Sequence, residues 1–423
     1  MKTPTFSFPI ALIAAFAISP ATVAVPLAEA QTYNVLYSFQ GSPADGRNPQ
    51  GGLLLDQLGN LYGTTWSGGS DACCGIIFEL DPTSVERVLH TFSQTGTDGT
   101  HPAGDLVRVG STLYGTTYFG GGSTACSSSC GTVFQLSRGI ETVAHDFGAS
   151  EGAYPSAGLI RDPAGNLYGT TLSGSGGSIP SACGSQGCGT VFGIIKGQES
   201  VLYTFRGQPD GVNPGGTLVL DKAGNLYGTT AGGGQFNAGT VFELSRQSNG
   251  KWTEKTLYNF RGMSDGAGPL GSLLIDDKGN LYGITQRGGL KPKNVPACSS
   301  GCGAVFKLSP DTQGTWVESV LHSFSWSNGD GAFPMGRIVR DTAGTIYGIT
   351  NSGGASSMGI VYSIDVNKQE TILHTFTGGT ADGAAPVGGL LMDAAGNLFG
   401  TSSAGGSANC GGAGCGTVFK ISF

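Results

Sequence analysis

Two charged residues break a run of small ones in this chain. Asp105 and Arg337 stand three positions after a recurrent proline, where the other copies of the same segment carry Gly52, Gly158, Thr217, Ser272 and Gly389. His101 lies just upstream of Asp105. A carboxylate, an imidazole and a guanidinium can share general acid–base work and hold an anionic group. Lyase or hydrolase chemistry on a polysaccharide would need such a set, so Asp105, His101 and Arg337 are the catalytic candidates. Aromatic residues break a second series, the position just after a Leu-Tyr-Gly-Thr-Thr run. Trp66 and Tyr118 occur there, followed in the second case by Phe119, against Leu172, Ala231, Gln286, Asn351 and Ser403 elsewhere. Rings beside polar groups form a platform for a sugar or a peptide. The candidate binding residues are therefore Trp66, Tyr118, Phe119, Asp105 and Arg337. Two plainer readings compete: an internal Asp–Arg network that plugs a channel, and aromatic packing against a loop. Arg108, Arg161 and Arg340 lie three positions further on and are expected near the same channel.

These departures are visible because the rest of the chain repeats itself. Tyr62, Tyr114, Tyr168, Tyr227, Tyr282, Tyr347 and Phe399 recur at spacings of 52 to 65 residues. Such a period points to a propeller, a solenoid or an array. Each copy holds four strand-like runs bounded by turn residues, as in Asp105–Val109, Leu113–Thr117, Gly131–Leu136 and Thr142–Phe147 of the second copy. Glycine, 75 of 423 residues, is too frequent for a helical protein. The expected fold is all-β, a seven-bladed β-propeller of four-stranded antiparallel blades.

The order of the runs predicts how the ring closes. The first run after the leader, Asn34–Phe39, is of the fourth type, and the last, Gly416–Phe423, is of the third. Pairing them completes the seventh blade and removes an exposed sheet edge. Residues 31–423 are then one domain. Its blades lie at about 49–92, 102–147, 155–205, 214–260, 269–324 and 334–376, and the seventh joins 386–423 to 34–39. We name the four strands A to D from the channel outwards. The D–A and B–C loops share one face, and the A–B and C–D turns share the other. Recurrent acids before the A–B turns (Asp56, Asp162, Asp221, Asp393) and in the D–A loops (Asp45, Asp98, Glu151, Asp210, Asp265, Asp330, Asp382) are expected to close turns through their side chains.

Ten cysteines fall in five close pairs, Cys73/Cys74, Cys126/Cys130, Cys183/Cys188, Cys298/Cys302 and Cys410/Cys415, each just before strand C. Residues 1–30 read as a signal peptide, with Lys2, an apolar Phe8–Ile18 segment and a small-x-small site at Ala28-Glu29-Ala30. An even cysteine count in an exported chain predicts disulfides, each a local staple worth ~2 kcal/mol in the chain-entropy model. Cys73-Cys74 is the open case, either a vicinal disulfide or two free thiols. The pairs sit on separate blades without a matching histidine, so no metal and no cofactor is expected. His90, His145, His322 and His374 occupy one strand D position that other copies fill with tyrosine. A net charge of −7 argues against nucleic acid and anionic membranes as partners. No second apolar span follows the leader. A monomer is expected, secreted to the extracellular space or retained in a periplasm.

The words Gly224-Asn-Leu-Tyr-Gly-Thr-Thr230, Gly239-Thr-Val-Phe-Glu-Leu244 and Val201-Leu-Tyr-Thr-Phe205 with Asp210-Gly resemble the GloVer tandem-repeat family of exported bacterial proteins. The likeness spans essentially the whole mature chain. It implies a secreted or surface-displayed protein and carries no catalytic residues with it. Family members often end in a sorting or anchoring module. Such a module is lacking here, which favours release. The same words are more loosely similar to NHL-type and streptogramin-lyase-type propellers. Three functions follow from these readings. The first is a binding module for an extracellular glycan or peptide, the second a lyase or hydrolase at the channel mouth, and the third a purely structural surface module.

Overall fold

Leu-Tyr-Gly-Thr-Thr forms strand B at the heart of the blades, and its glycine makes room for the strand beside it. In the computed structural model, Gly63 pairs in register with Phe78 of strand C. A Cβ on Gly63 would lie 2.6 Å from the Phe78 ring. The same approach recurs at Gly115, Gly169, Gly228, Gly283, Gly348 and Gly400, each against the ring of its own strand C. Two of the repeated words are thus one packing device. The structure describes Met1 and residues 31–95, 97–174 and 183–423. The expected signal peptide lies, Met1 apart, outside them.

Each blade is antiparallel in the order A-B-C-D. Blade 1 runs Leu54–Leu55, Leu61–Thr65, Ile76–Leu80 and Glu86–Thr91. Blade 2 runs Val107–Val109, Thr112–Gly120, Thr132–Ser137 and Ile140–Asp146. Blade 7 takes Leu391–Met392, Leu398–Gly405 and Thr417–Ser422 from the end of the chain and Thr32–Ser38 from its start. That last pairing is antiparallel, Thr32 opposite Ser422 through Ser38 opposite Thr417. The seven-bladed propeller is closed by it.

Seven hydrophobic clusters hold the ring, one between each pair of neighbouring blades. At the centre of each, the last phenylalanine of one strand D meets the strand C ring of the next blade edge to face. The pairs are Phe39–Phe78, Phe92–Phe134, Phe147–Phe192, Phe205–Phe242, Phe260–Phe306, Phe324–Tyr362 and Phe376–Phe419, with centroids 4.9 to 5.3 Å apart. Edge-to-face pairs add about 0.5–1.5 kcal/mol each beyond burial. Phe39, from the N-terminal strand, makes the contact between blades 7 and 1 and is fully buried.

The recurrent acids close turns. Asp56 accepts from the Leu58 and Asn60 amides, the Asn60 side chain and the Tyr62 hydroxyl. Asp162, Asp221 and Asp276 repeat this around Asn166/Tyr168, Asn225/Tyr227 and Asn280/Tyr282. In the D–A loops, Asp45 binds the Gln40 and Gly46 amides and accepts from Tyr37 of strand D. Asp382 does the same with Thr377, Gly383 and His374. The histidine–tyrosine interchange on strand D is therefore an exchange of partners for the loop acid.

Strand A is shorter than the sequence suggests, two residues in most blades and not four or five. The segment before it is consumed by a glycine collar around the channel. A Cβ on Gly104 would lie 2.4 Å from Ala157 O, on Gly216 2.6 Å from Gly271 O, and on Gly388 2.2 Å from Gly51 O. Backbones of adjacent blades touch there, and the row holds six glycines and Ala157.

Candidate functional site at the channel mouth

The row of small residues just beyond the collar sets what the channel can hold. Asp105 Oδ1 accepts from the Gly52 amide at 2.6 Å, and its Oδ2 lies 3.2 Å from an Arg337 terminal nitrogen. Arg337 also donates through Nε to Leu390 O. Arg337 comes from blade 6 and Asp105 from blade 2, so the pair passes blades 7 and 1. Both of those carry glycine at this position, Gly389 and Gly52. A Cβ on Gly52 would stand 2.8 Å from Asp105 Oδ1. The ion pair is thus possible because two intervening copies have no side chain.

Above this neutral pair opens a cavity of about 430 Å³, lined by Trp66, Asp105, Tyr118, Phe119, Thr217 and Arg337 among others. All five candidate binding residues line it. His101 does not. It stands behind them, its ring 4.9 Å from Trp66 and 5.5 Å from Phe119. Burial pushes the His101 imidazole below its ordinary value, and its Nδ1 is buried without a partner among the described residues. The imidazole packs behind the rings that line the cavity.

A fifth ring, missed in the sequence, completes the arc. Tyr154 stacks on Tyr118 at 5.3 Å and 22°, and meets Phe119 edge on at 5.7 Å. Trp66 lies 5.5 Å from Tyr118 on its other side. These rings are half-buried. Burial, and then the neighbouring Tyr154, pushes the Tyr118 hydroxyl up.

Tyr154 and His101 belong to a series that residue types alone conceal. The residue before each D–A proline is Asn48, His101, Tyr154, Asn213, Gly268, Phe333 or Ala385, and all seven have φ between 50° and 62°. Each amide donates across the blade interface, to the carbonyls of Cys415, Cys74, Cys130, Cys188, Ala238, Cys302 and Met358. Five of those carbonyls belong to the second cysteine of a pair. All five pairs are disulfides, including the adjacent Cys73–Cys74. The staples therefore fix the acceptors that hold the site-bearing loops of the next blade, on the same face as the channel mouth.

One expectation needs correction. Arg108 and Arg340 do not approach the channel. Their guanidinium groups lie over Tyr62 at 4.7 Å and over Tyr282 at 5.5 Å, rings of the preceding blade, and Arg108 is 4.0 Å from the turn acid Asp56. Arg161 is solvent-exposed. Strand A is so short that these positions already sit beside the A–B turns, on the opposite face. The D–A loop acids, in turn, are not isolated. Each meets a strand D residue of the following blade, giving His90/Asp98/Glu141, His145/Glu151/Glu199 and His322/Asp330/Glu370, with ligand-type atoms within 4.8 Å of one another. Burial, then the loop acid, raises Glu141, Glu199 and Glu370 to about 7. Glu86, Glu254 and Glu318 are raised to the same level where tyrosine replaces histidine. The arrangement recurs with either ring, as a scaffold element does.

The fold and site together define a seven-bladed propeller with an ion-paired channel and an aromatic rim. The chain belongs to the family of the Gloeobacter/Verrucomicrobia repeat, which matches residues 21–181, 179–295 and 294–423. No curated protein matches it. Among solved structures it is similar to the extracellular domain of a one-component system of B. thetaiotaomicron, with 11% identity and a TM-score of 0.55. That alignment covers 92% of this chain and 40% of the other, so this chain spans less than half of that domain. Fainter likenesses are to a luciferin-regenerating enzyme (11% identity, TM-score 0.45, covering 93% and 95%) and to a gluconolactonase of Xanthomonas campestris (13%, 0.39, 69% and 78%).

Proposed function

We propose that this protein is an exported binding module that takes a glycan on the aromatic arc of the channel mouth. The observation that carries this reading is the arc itself: Trp66, Tyr118 and Phe119 line a cavity of about 430 Å³, and Tyr154 stacks on Tyr118 behind them. Sugar rings have apolar faces that stack on such surfaces and hydroxyls that bond to polar neighbours. Lyase or hydrolase chemistry would ask Asp105 to act as a free base. Its two oxygens are instead held by the Gly52 amide and by Arg337. Export is supported by five disulfides, which persist in oxidising compartments, and by the likeness to an extracellular domain.

A glycan array probed with the chain from Gln31 onwards tests the reading. Retention of oligosaccharides is expected. Trp66→Ala and Tyr118→Ala, each at an unchanged far-ultraviolet spectrum, are expected to weaken the strongest hit at least tenfold, since base- or sugar-stacking rings are worth about 1–3 kcal/mol each. Equal binding by both variants would refute it.

A further inference from the structure

The channel mouth does not end at the ring of small residues. Leu270, which lines its wall, also lines a second cavity of about 520 Å³ on the same face, between blades 4 and 5. Arg261, Arg287 and Lys291 line this second space with Phe236. Gln286 and Arg287 lead on from it into a third cavity of about 380 Å³. Three adjoining cavities thus lead outwards from the channel mouth past three cations.

Those cations are uncompensated. Arg261, Arg287 and Lys291 are solvent-exposed, and none forms an ion pair among the described residues. Among the described residues, no aspartate or glutamate lines either outer cavity. The nearest loop acid, Asp265, is buried, and accepts from Tyr258 and from the Arg261 and Met263 amides. The chain as a whole carries a net charge of −7, so a cluster of three free cations stands against the prevailing charge. Phe236 is 47% exposed, with the Arg261 guanidinium 5.8 Å from its ring centre. An exposed ring beside exposed cations suits a ligand with a flat apolar face and regularly spaced anionic groups.

We propose that this groove extends the channel-mouth site and takes an acidic polysaccharide, whose carboxylates pair with Arg261, Arg287 and Lys291 while one sugar face rests on Phe236. The proposal rests on the glycan reading of the aromatic arc. It adds the charge of the ligand and the direction in which the chain leaves the channel. Arginine pairs with a carboxylate through two parallel hydrogen bonds, and lysine supplies a point charge beside them.

Affinity electrophoresis against polygalacturonate, its fully methyl-esterified form and poly-glutamate tests this. The protein is expected to be retarded by polygalacturonate, at least tenfold less by the ester, and progressively less as salt rises. Arg287→Ala/Lys291→Ala, and separately Arg261→Ala, alter exposed side chains and are expected to keep the fold. The double variant is expected to lose at least tenfold in affinity for polygalacturonate and little for a neutral oligosaccharide. Unchanged retardation of the double variant would overturn the proposal, as would no retardation of the parent protein. Equal retardation by poly-glutamate, lost in the same variant, would also overturn it, in favour of an acidic peptide. The arc is scored apart from the groove. Loss of neutral-glycan binding in Trp66→Ala upholds the arc whatever the groove variants do.

Discussion

A chain that begins at Gln40 is expected not to fold. It lacks Thr32–Ser38, and with it the ladder opposite Thr417–Ser422. It also lacks Phe39, fully buried against Phe78 in the cluster that joins blades 7 and 1. Truncating a buried phenylalanine alone costs about 3–5 kcal/mol. A domain's whole stability is about 5–15 kcal/mol. Removing the ring, the ladder and the flanking Leu36 and Tyr37 together exceeds what such a fold can lose. The strand left behind, with Val418 and Phe419 at its centre, becomes an unpaired apolar edge, which invites aggregation. Expression of the chains starting at Gln31 and at Gln40 checks this by solubility and cooperative denaturation. The longer chain is expected to unfold in one transition and the shorter to be insoluble or to lack a transition. A synthetic peptide covering Thr32–Phe39, added during refolding, is expected to restore some folded material by strand addition. A soluble, cooperatively unfolding short chain would show that closure contributes little.

The second large effect is on pH. Glu86, Glu141, Glu199, Glu254, Glu318 and Glu370 hold one position on strand D of blades 1 to 6, and each is raised to about 7. Burial is the main cause in every case. The charge of the preceding loop acid adds to it: Asp45, Asp98, Glu151, Asp210, Asp265 and Asp330 in turn. A folded carboxyl that holds its proton up to pH 7, when the unfolded chain releases it near its ordinary value, stabilises the fold most at low pH. That contribution is fully present below the ordinary value and lost as pH rises through 7. His322, raised by its acids against the opposing effect of burial, acts in the same direction. His101 and His145 are lowered by burial and act in the opposite one. Six glutamates and one histidine outweigh two histidines. The lower limit comes from acids such as Asp382. Burial there is outweighed by bonds from His374, the Thr377 amide and Tyr33, which hold it at about 2. Its stabilisation is lost as pH falls towards that value.

The expected result is a stability maximum near pH 5 and a decline that levels off above about pH 7. Water reaches these half-buried groups, so each glutamate is worth about 0.5 kcal/mol over that range, or about 3 kcal/mol for the six. Urea denaturation across pH 4 to 9 measures it. Glu141→Gln with Glu199→Gln is expected to flatten the decline between pH 5 and 7. A profile that rises from pH 5 to 8 would show that the glutamates are ionised in the folded protein.

Much of the fold could be read in the residues because the repeated words are themselves packing devices. The glycine of Leu-Tyr-Gly-Thr is the space for the phenylalanine of Gly-Thr-Val-Phe, so both must recur wherever a blade does. Closure was legible from the order of the runs at the two ends of the chain. At the channel, subtracting the repeat left Asp105, Arg337, Trp66, Tyr118 and Phe119, and these share one cavity. The rest was hidden for definite reasons. Tyr154 escaped notice because its series is united by a left-handed backbone, which leaves no trace in residue type: asparagine, histidine, tyrosine, glycine, phenylalanine and alanine all occur in it. Arg108 and Arg340 were misplaced because the glycine collar uses up residues that would otherwise lengthen strand A. The strand D glutamates recur visibly, but their partners lie on the loop that leads into the same blade, some 40 to 55 residues earlier in sequence, and only the folded blade brings the two together.

All of these placements depend on the first strand completing the seventh blade. Amide hydrogen exchange of the native chain, read by mass spectrometry at neutral pH, reports on it directly. The amides of residues 33–38 are expected to exchange as slowly as those of 417–421, over hours, and to lose protection together with them as urea rises. Exchange of 33–38 within seconds, while 417–421 stay protected, would contradict the closed ring.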